Sequence, residues 1–142
     1  MQKEKIVEYF MGAIHCSQVV AGEMAERFGV DRDMLMSMAA PLGGGCFNGE
    51  VCGCVTGGLL CIGLSCGHCH KGDVETNARM VEMTKEFENR FAEENGSLRC
   101  KDLCGYDFSA EGELEKAMES GVLFETCPKL VNSALDILDD II

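Results

Sequence analysis

The stretch from Gly43 to His70, GGGCFNGEVCGCVTGGLLCIGLSCGHCH, constrains the fold more than any other part of the chain. Within it, Val51 to Leu64 is an apolar run of helix length, interrupted at its middle by Gly57 and Gly58. A glycine inside a helix costs about 1 kcal/mol relative to alanine. Two in succession point to a neighbouring helix packed against bare backbone. The run is also longer than an ordinary strand, so it reads as a central helix buried on all sides.

The rest of the chain supports an all-α fold. Ile6, Val7, Phe10 and Ile14 recur at helical spacing and predict a helix over about 3–13. A second covers 16–28, with Val19, Val20, Met24 and Phe28 on one face and Gly29 past its end. Asp31 caps a short helix through Met34, Leu35 and Met38 to Ala40, and Pro41 with Gly43–Gly45 ends it in a flexible turn. Asp73 caps a long amphipathic helix to about Glu94, stopped by Asn95-Gly96. Ser97 caps a short turn holding Cys100 and Cys104, Glu111 to Ser120 is helical, and Cys127-Pro128 opens the last helix. No period-two run competes. The expectation is one domain, residues 1–142, a bundle of about six to eight helices.

Charge narrows the partners. The net charge of −12 disfavours nucleic acid, whose binding rests on Lys and Arg neutralising phosphates, and an anionic membrane for the same reason. The N-terminus, MQKEKIVEYFMG, mixes charged and apolar residues and lacks a secretory pattern; the central run is too short to span a bilayer. A cytoplasmic chain is expected. Ten cysteines in a reducing compartment argue for metal or redox chemistry over a disulfide framework.

Four cysteines fall at predicted helix starts: Cys16, Cys52, Cys100 and Cys127. Free backbone N–H groups and the helix dipole stabilise an anion there and lower a thiol's pKa toward the metal-binding thiolate. If the four ends converge they make a four-thiolate pocket; otherwise the four are small apolar core residues. Four thiolates at close quarters carry a formal charge of −4, which metal binding or oxidation relieves.

Cys16-Ser17-Gln18, Gly43–Gly45, Gly49-Glu50-Val51-Cys52-Gly53, Val55-Thr56-Gly57, Ile62-Gly63-Leu64, Cys100 and Cys127-Pro128-Lys129-Leu130-Val131 follow one another in a recognisable order. In this the chain resembles the C_GCAxxG_C_C family of putative redox-active proteins, over nearly its whole length. The matching cysteines are Cys16, Cys52, Cys100 and Cys127. A similar domain accompanies the split-Soret type of cytochrome, where cysteines hold an iron–sulfur cluster. The resemblance therefore implies such a cluster and an electron partner it does not name. Cys54 stands where the family generally has alanine; Cys46, Cys61, Cys66, Cys69 and Cys104 are further additions.

Cys54 and Cys61 share a face of the central helix. Cys61 reads as core, while Cys54 lies near enough to Cys52 to be an alternate ligand. Cys104 shares a helical face with Cys100 and joins it as a second-tier candidate. Cys66-Gly67-His68-Cys69-His70 fits three templates: c-type haem attachment, the dithiol of disulfide isomerases, and a zinc or soft-metal site through Cys66, Cys69 and one histidine. The first wants an exported chain and the second a thioredoxin fold. The third wants a second Cys/His pair; idle thiols in an exposed loop are the plain alternative. There is no phosphate-binding Gly-x-x-x-x-Gly-Lys and no dinucleotide fingerprint. The nine methionines read as core filler.

The leading reading is a thiolate site at Cys16, Cys52, Cys100 and Cys127 holding an iron–sulfur cluster for electron transfer. A metal-free thiol–disulfide oxidoreductase and a zinc or soft-metal binding module are the alternatives. The apolar last helix, LVNSALDILDDII, offers a face for a homodimer.

Overall fold

The computed structural model describes all 142 residues. Nine α-helices occur along the chain: α1 (Lys3–Met11), α2 (Cys16–Ala25), α3 (Arg32–Ala39), α4 (Gly53–Cys66), α5 (Val74–Asn95), α6 (Cys100–Cys104), α7 (Glu113–Ser120), α8 (Val122–Glu125) and α9 (Cys127–Ile141). Eight have five residues or more, α8 being a single turn, and there is no β-strand beyond one isolated bridge. The fold is all-α, as its sequence predicts.

Helix α4 is the axis, with α2, α5 and α9 packed around it. Its glycines explain how. A Cβ on Gly57 would lie 2.6 Å from the Ser17 carbonyl oxygen, and one on Gly58 would run into the Phe87 ring. α2 and α5 therefore approach α4 at its two bare faces, as close packing on glycine requires. Phe87 and Phe91 of α5 and Ile137 and Leu138 of α9 are fully or almost fully buried in the resulting core, each worth about 1.5–3 kcal/mol of burial.

Polar side chains lock α2 in place. Ser17 Oγ donates to the Ala39 carbonyl at 2.7 Å and Gln18 Nε2 to that of Met36 at 3.2 Å, satisfying the end of α3. Thr56 Oγ1 donates to Leu42 at 2.9 Å, holding α4 against the segment that precedes the glycine triplet. Three polar positions of the sequence motif are thus hydrogen-bonding struts, buried or partly buried.

Three local expectations are corrected. The central helix begins at Gly53 and not Val51, because Val51 is drawn into an antiparallel bridge with Arg99. It is not buried all round, since Gly63 and Leu64 reach solvent beyond the reach of α2. The segment after Pro41 is no loose turn: Gly44, Gly45, Cys46 and Phe47 all have positive φ, a left-handed turn at residues 44–47. Left-handed backbone costs roughly 1–2 kcal/mol at a residue with a Cβ, so Cys46 and Phe47 are held there by their surroundings.

The apolar face of α9 is spent inside the chain. Leu130, Val131, Ala134, Leu135, Ile137 and Leu138 are all buried, which leaves that face covered by this chain's own core. No helix is long and apolar enough to cross a membrane.

Candidate functional site: a six-thiol cavity

Four helix starts meet at one end of the bundle. Cys16 is the first residue of α2, Cys100 the first of α6 and Cys127 the first of α9, while Cys52 is the residue that caps α4. All four line a single cavity of about 340 Å³, together with Cys54 and Cys104. Convergence is what separates a site from four core residues, and the packing supplies it.

Each cysteine is positioned by identifiable contacts. His15 N–H donates to Gln18 Oε1 at 2.9 Å, fixing the start of α2. Gly53 lets α4 come close enough that any Cβ there would collide with the Cys16 sulfur. Cys52 N–H donates to the Leu98 carbonyl at 2.7 Å and Cys100 N–H to that of Glu50 at 2.6 Å. This pair of bonds, with the Arg99–Glu50 ion pair at 3.1 Å, clamps the Cys52 and Cys100 segments side by side. Gly45, at φ +65°, lies so close to Cys100 that a Cβ would sit 2.9 Å from that of the cysteine. Ser97 does not cap α6 as expected. Its hydroxyl accepts from Arg99 N–H and donates to Asp102, and Arg99 takes the cap position.

The electrostatics differ from the helix-start expectation. Cys16 alone of the four is driven well below the ordinary thiol range, first by hydrogen bonds from the Cys52 and Cys54 thiols, then by the backbone N–H groups of Gly44 and Ser17. Cys52 and Cys54 are raised, chiefly because their protons are held against the Cys16 sulfur. Cys100 is raised by its neighbour Cys104, whose own pKa falls to about 7 through the same bond. Cys127 is raised mainly by its apolar surroundings. Thiols this close cannot all ionise, and one thiolate keeps its neighbours protonated. The helix ends favour an anion, but the shared space admits few.

The other cysteines lie apart. Cys61 is core, as expected. Cys66 is buried near the end of α4, its thiol directed to the Ile62 carbonyl at 3.5 Å and Met83 Sδ at 3.8 Å. Cys69, His68 and His70 are exposed on the loop beyond, and Cys46 is exposed on the left-handed turn. The structure therefore does not bring Cys66 and Cys69 to the cavity. No three His, Cys, Asp or Glu donors anywhere are gathered closely enough to hold a single metal ion.

The cavity walls escaped the sequence reading. Phe10 and Ile14 come from the end of α1 and the turn after it, Phe47 from the left-handed turn, Leu114 and Met118 from α7, and Phe124 from α8. The i, i+4 pair on α7 signals an apolar stripe, but nothing local says that it faces thiols. Phe47 has no local signal at all; it meets the His15 ring edge-on at 4.8 Å.

Fold and site together define an all-α protein organised around a buried thiol cavity. Residues 14–141 match the family described as "putative redox-active protein (C_GCAxxG_C_C)", and the chain belongs to that family. No curated protein and no solved structure matches it.

Proposed function

We propose that the cavity is a redox centre in which Cys16, Cys52, Cys100 and Cys127 hold an iron–sulfur cluster for electron transfer. The observation that carries this reading is the meeting of six thiols in one space walled by apolar side chains. Thiolates are the donors that such clusters take, and the donor set of the cavity fits one. A single zinc ion needs four donors within about 2.0–2.3 Å of one point. A cluster spreads its thiolates over several iron atoms, so its ligands need not converge on one point. When bound, it supplies one-electron transfer.

The chain's own residues orient and tune the sulfurs. Gly44 and Ser17 N–H groups direct hydrogen bonds at the Cys16 sulfur, and such bonds help set the potential of a thiolate-bound centre. Phe10, Ile14 and Phe124 keep water from the inner thiols. Cys54 and Cys104 line the same cavity without being counted among the four ligands.

The close Cys16/Cys52/Cys54 and Cys100/Cys104 contacts favour a second reading, in which two thiols cycle through a disulfide without metal. Anaerobic reconstitution with iron and sulfide separates the two. Stoichiometric iron and sulfide with visible absorption, lost in Cys52→Ser and Cys127→Ser, is expected. A colourless protein without iron would overturn the cluster. A thiol count that then changes on reduction would support the dithiol, and stoichiometric zinc a binding module.

A further inference from the structure

The inner end of the cavity is thiol, with Cys52, Cys54, Cys100 and Cys104 all buried. Its outer end is a rim of Met11, Phe47, Leu114 and Met118, which are 74, 43, 43 and 48 % exposed. Large apolar side chains grouped in the open around a concavity mark a binding site. The volume, about 340 Å³, lies within the roughly 300–1,000 Å³ of small-molecule sites.

The lining also defines the ligand. No Lys, Arg, Asp or Glu faces the cavity, and His15 carries its only side-chain nitrogens. A charged ligand would lose its hydration with no charged side chain to replace it, and an anion would also meet a chain of net charge −12. A peptide segment would bring backbone N–H and C=O groups that these walls cannot satisfy. An uncharged ring system loses nothing on entry and gains the Phe10, Phe47 and Phe124 surfaces.

We propose that this cavity binds an uncharged, predominantly aromatic small molecule, seated between the apolar rim and the thiol floor, with the His15 ring as its one nitrogen-bearing contact. The proposal deepens the redox-centre reading by giving that centre a small-molecule partner, but the binding itself requires no iron.

The test uses N-phenyl-1-naphthylamine, a neutral probe that brightens in apolar surroundings, titrated into the reduced 142-residue chain before and after iron–sulfide reconstitution. Saturable one-to-one binding is expected in both states. 1-Anilinonaphthalene-8-sulfonate, the same rings with a fixed negative charge, should bind at least about tenfold more weakly. Met118→Glu and Leu114→Glu, both on half-exposed rim positions, should each weaken the neutral probe about tenfold or more, with helix content unchanged. No saturable binding, equal affinity for the two probes, or indifference to both rim substitutions would overturn the proposal. So would binding that vanishes on reconstitution, since the probe would then occupy the ligand site of the thiols themselves. Failure to take up iron with probe binding intact would strike the cluster reading alone.

Discussion

Cysteines sit at both ends of α4, and their surroundings differ. At its start, Cys52 and Cys54 share a cavity with thiols from α2, α6 and α9, and most thiol pKa shifts there have another thiol as their first cause. Further along, Cys61 is enclosed by the core, and burial alone pushes its pKa up to about 12. Cys66 packs on Met83. Where helix ends meet, cysteine is a donor among donors; where helix flanks meet, it is a small apolar residue.

The strongest way to break this comparison is to exchange roles. Cys52→Ser or Cys127→Ser should abolish iron uptake, whereas Cys61→Ala and Cys66→Ala should retain it at full stoichiometry, read by iron and sulfide analysis. Equal loss from both sets would erase the distinction.

Stability should show the opposite ranking. Phe87→Ala removes a fully buried ring and should cost about 3–5 kcal/mol in denaturant unfolding. Gly57→Ala forces a methyl against the rigid Ser17 backbone and should cost about 1–3 kcal/mol. Gly58→Ala should cost a similar amount alone but little in the Phe87→Ala background, where the clashing ring is gone. Additive costs would mean that Gly58 is not there to receive Phe87.

A pH scan sharpens the Cys61 side. Its folded pKa lies above the ordinary thiol value of about 9, so the stabilisation linked to its protonated form is full below pH 9 and is lost as pH rises toward 12. Wild-type stability should therefore fall more steeply than that of Cys61→Ala across this window, by up to about 1.4 kcal/mol per pH unit. Identical slopes would show the thiol to be unburied. The smallest effect is expected at Arg99→Ala, whose partner Glu50 is half exposed: no more than about 1 kcal/mol.

Much of this architecture was legible beforehand because its determinants are local. Asp31 and Asp73 accept from the N–H groups of Met34 and Thr76, as capping aspartates do. Gly96 ends α5 in a left-handed conformation. The glycine pair forecast close helix contact, and the family motif singled out the same four cysteines that stand at helix starts. What could not be read was non-local. The start of α4 moved by two residues because Val51 pairs with Arg99, a partner 48 positions away. The left-handed geometry of Cys46 and Phe47 runs against their intrinsic preference and is imposed by neighbours.

By itself, then, the sequence determined an all-α chain, a glycine-notched central helix, and cysteines placed where helices begin, because period, caps and glycine conformation act over a few residues. Only the tertiary structure decided that Cys54 and Cys104 join the four while Cys66 and Cys69 stand away. It also decided that α1, α7 and α8 wall the cavity, and that crowded thiols hold one another protonated. Those outcomes depend on distances between segments far apart in the chain, which packing sets and local propensity does not encode.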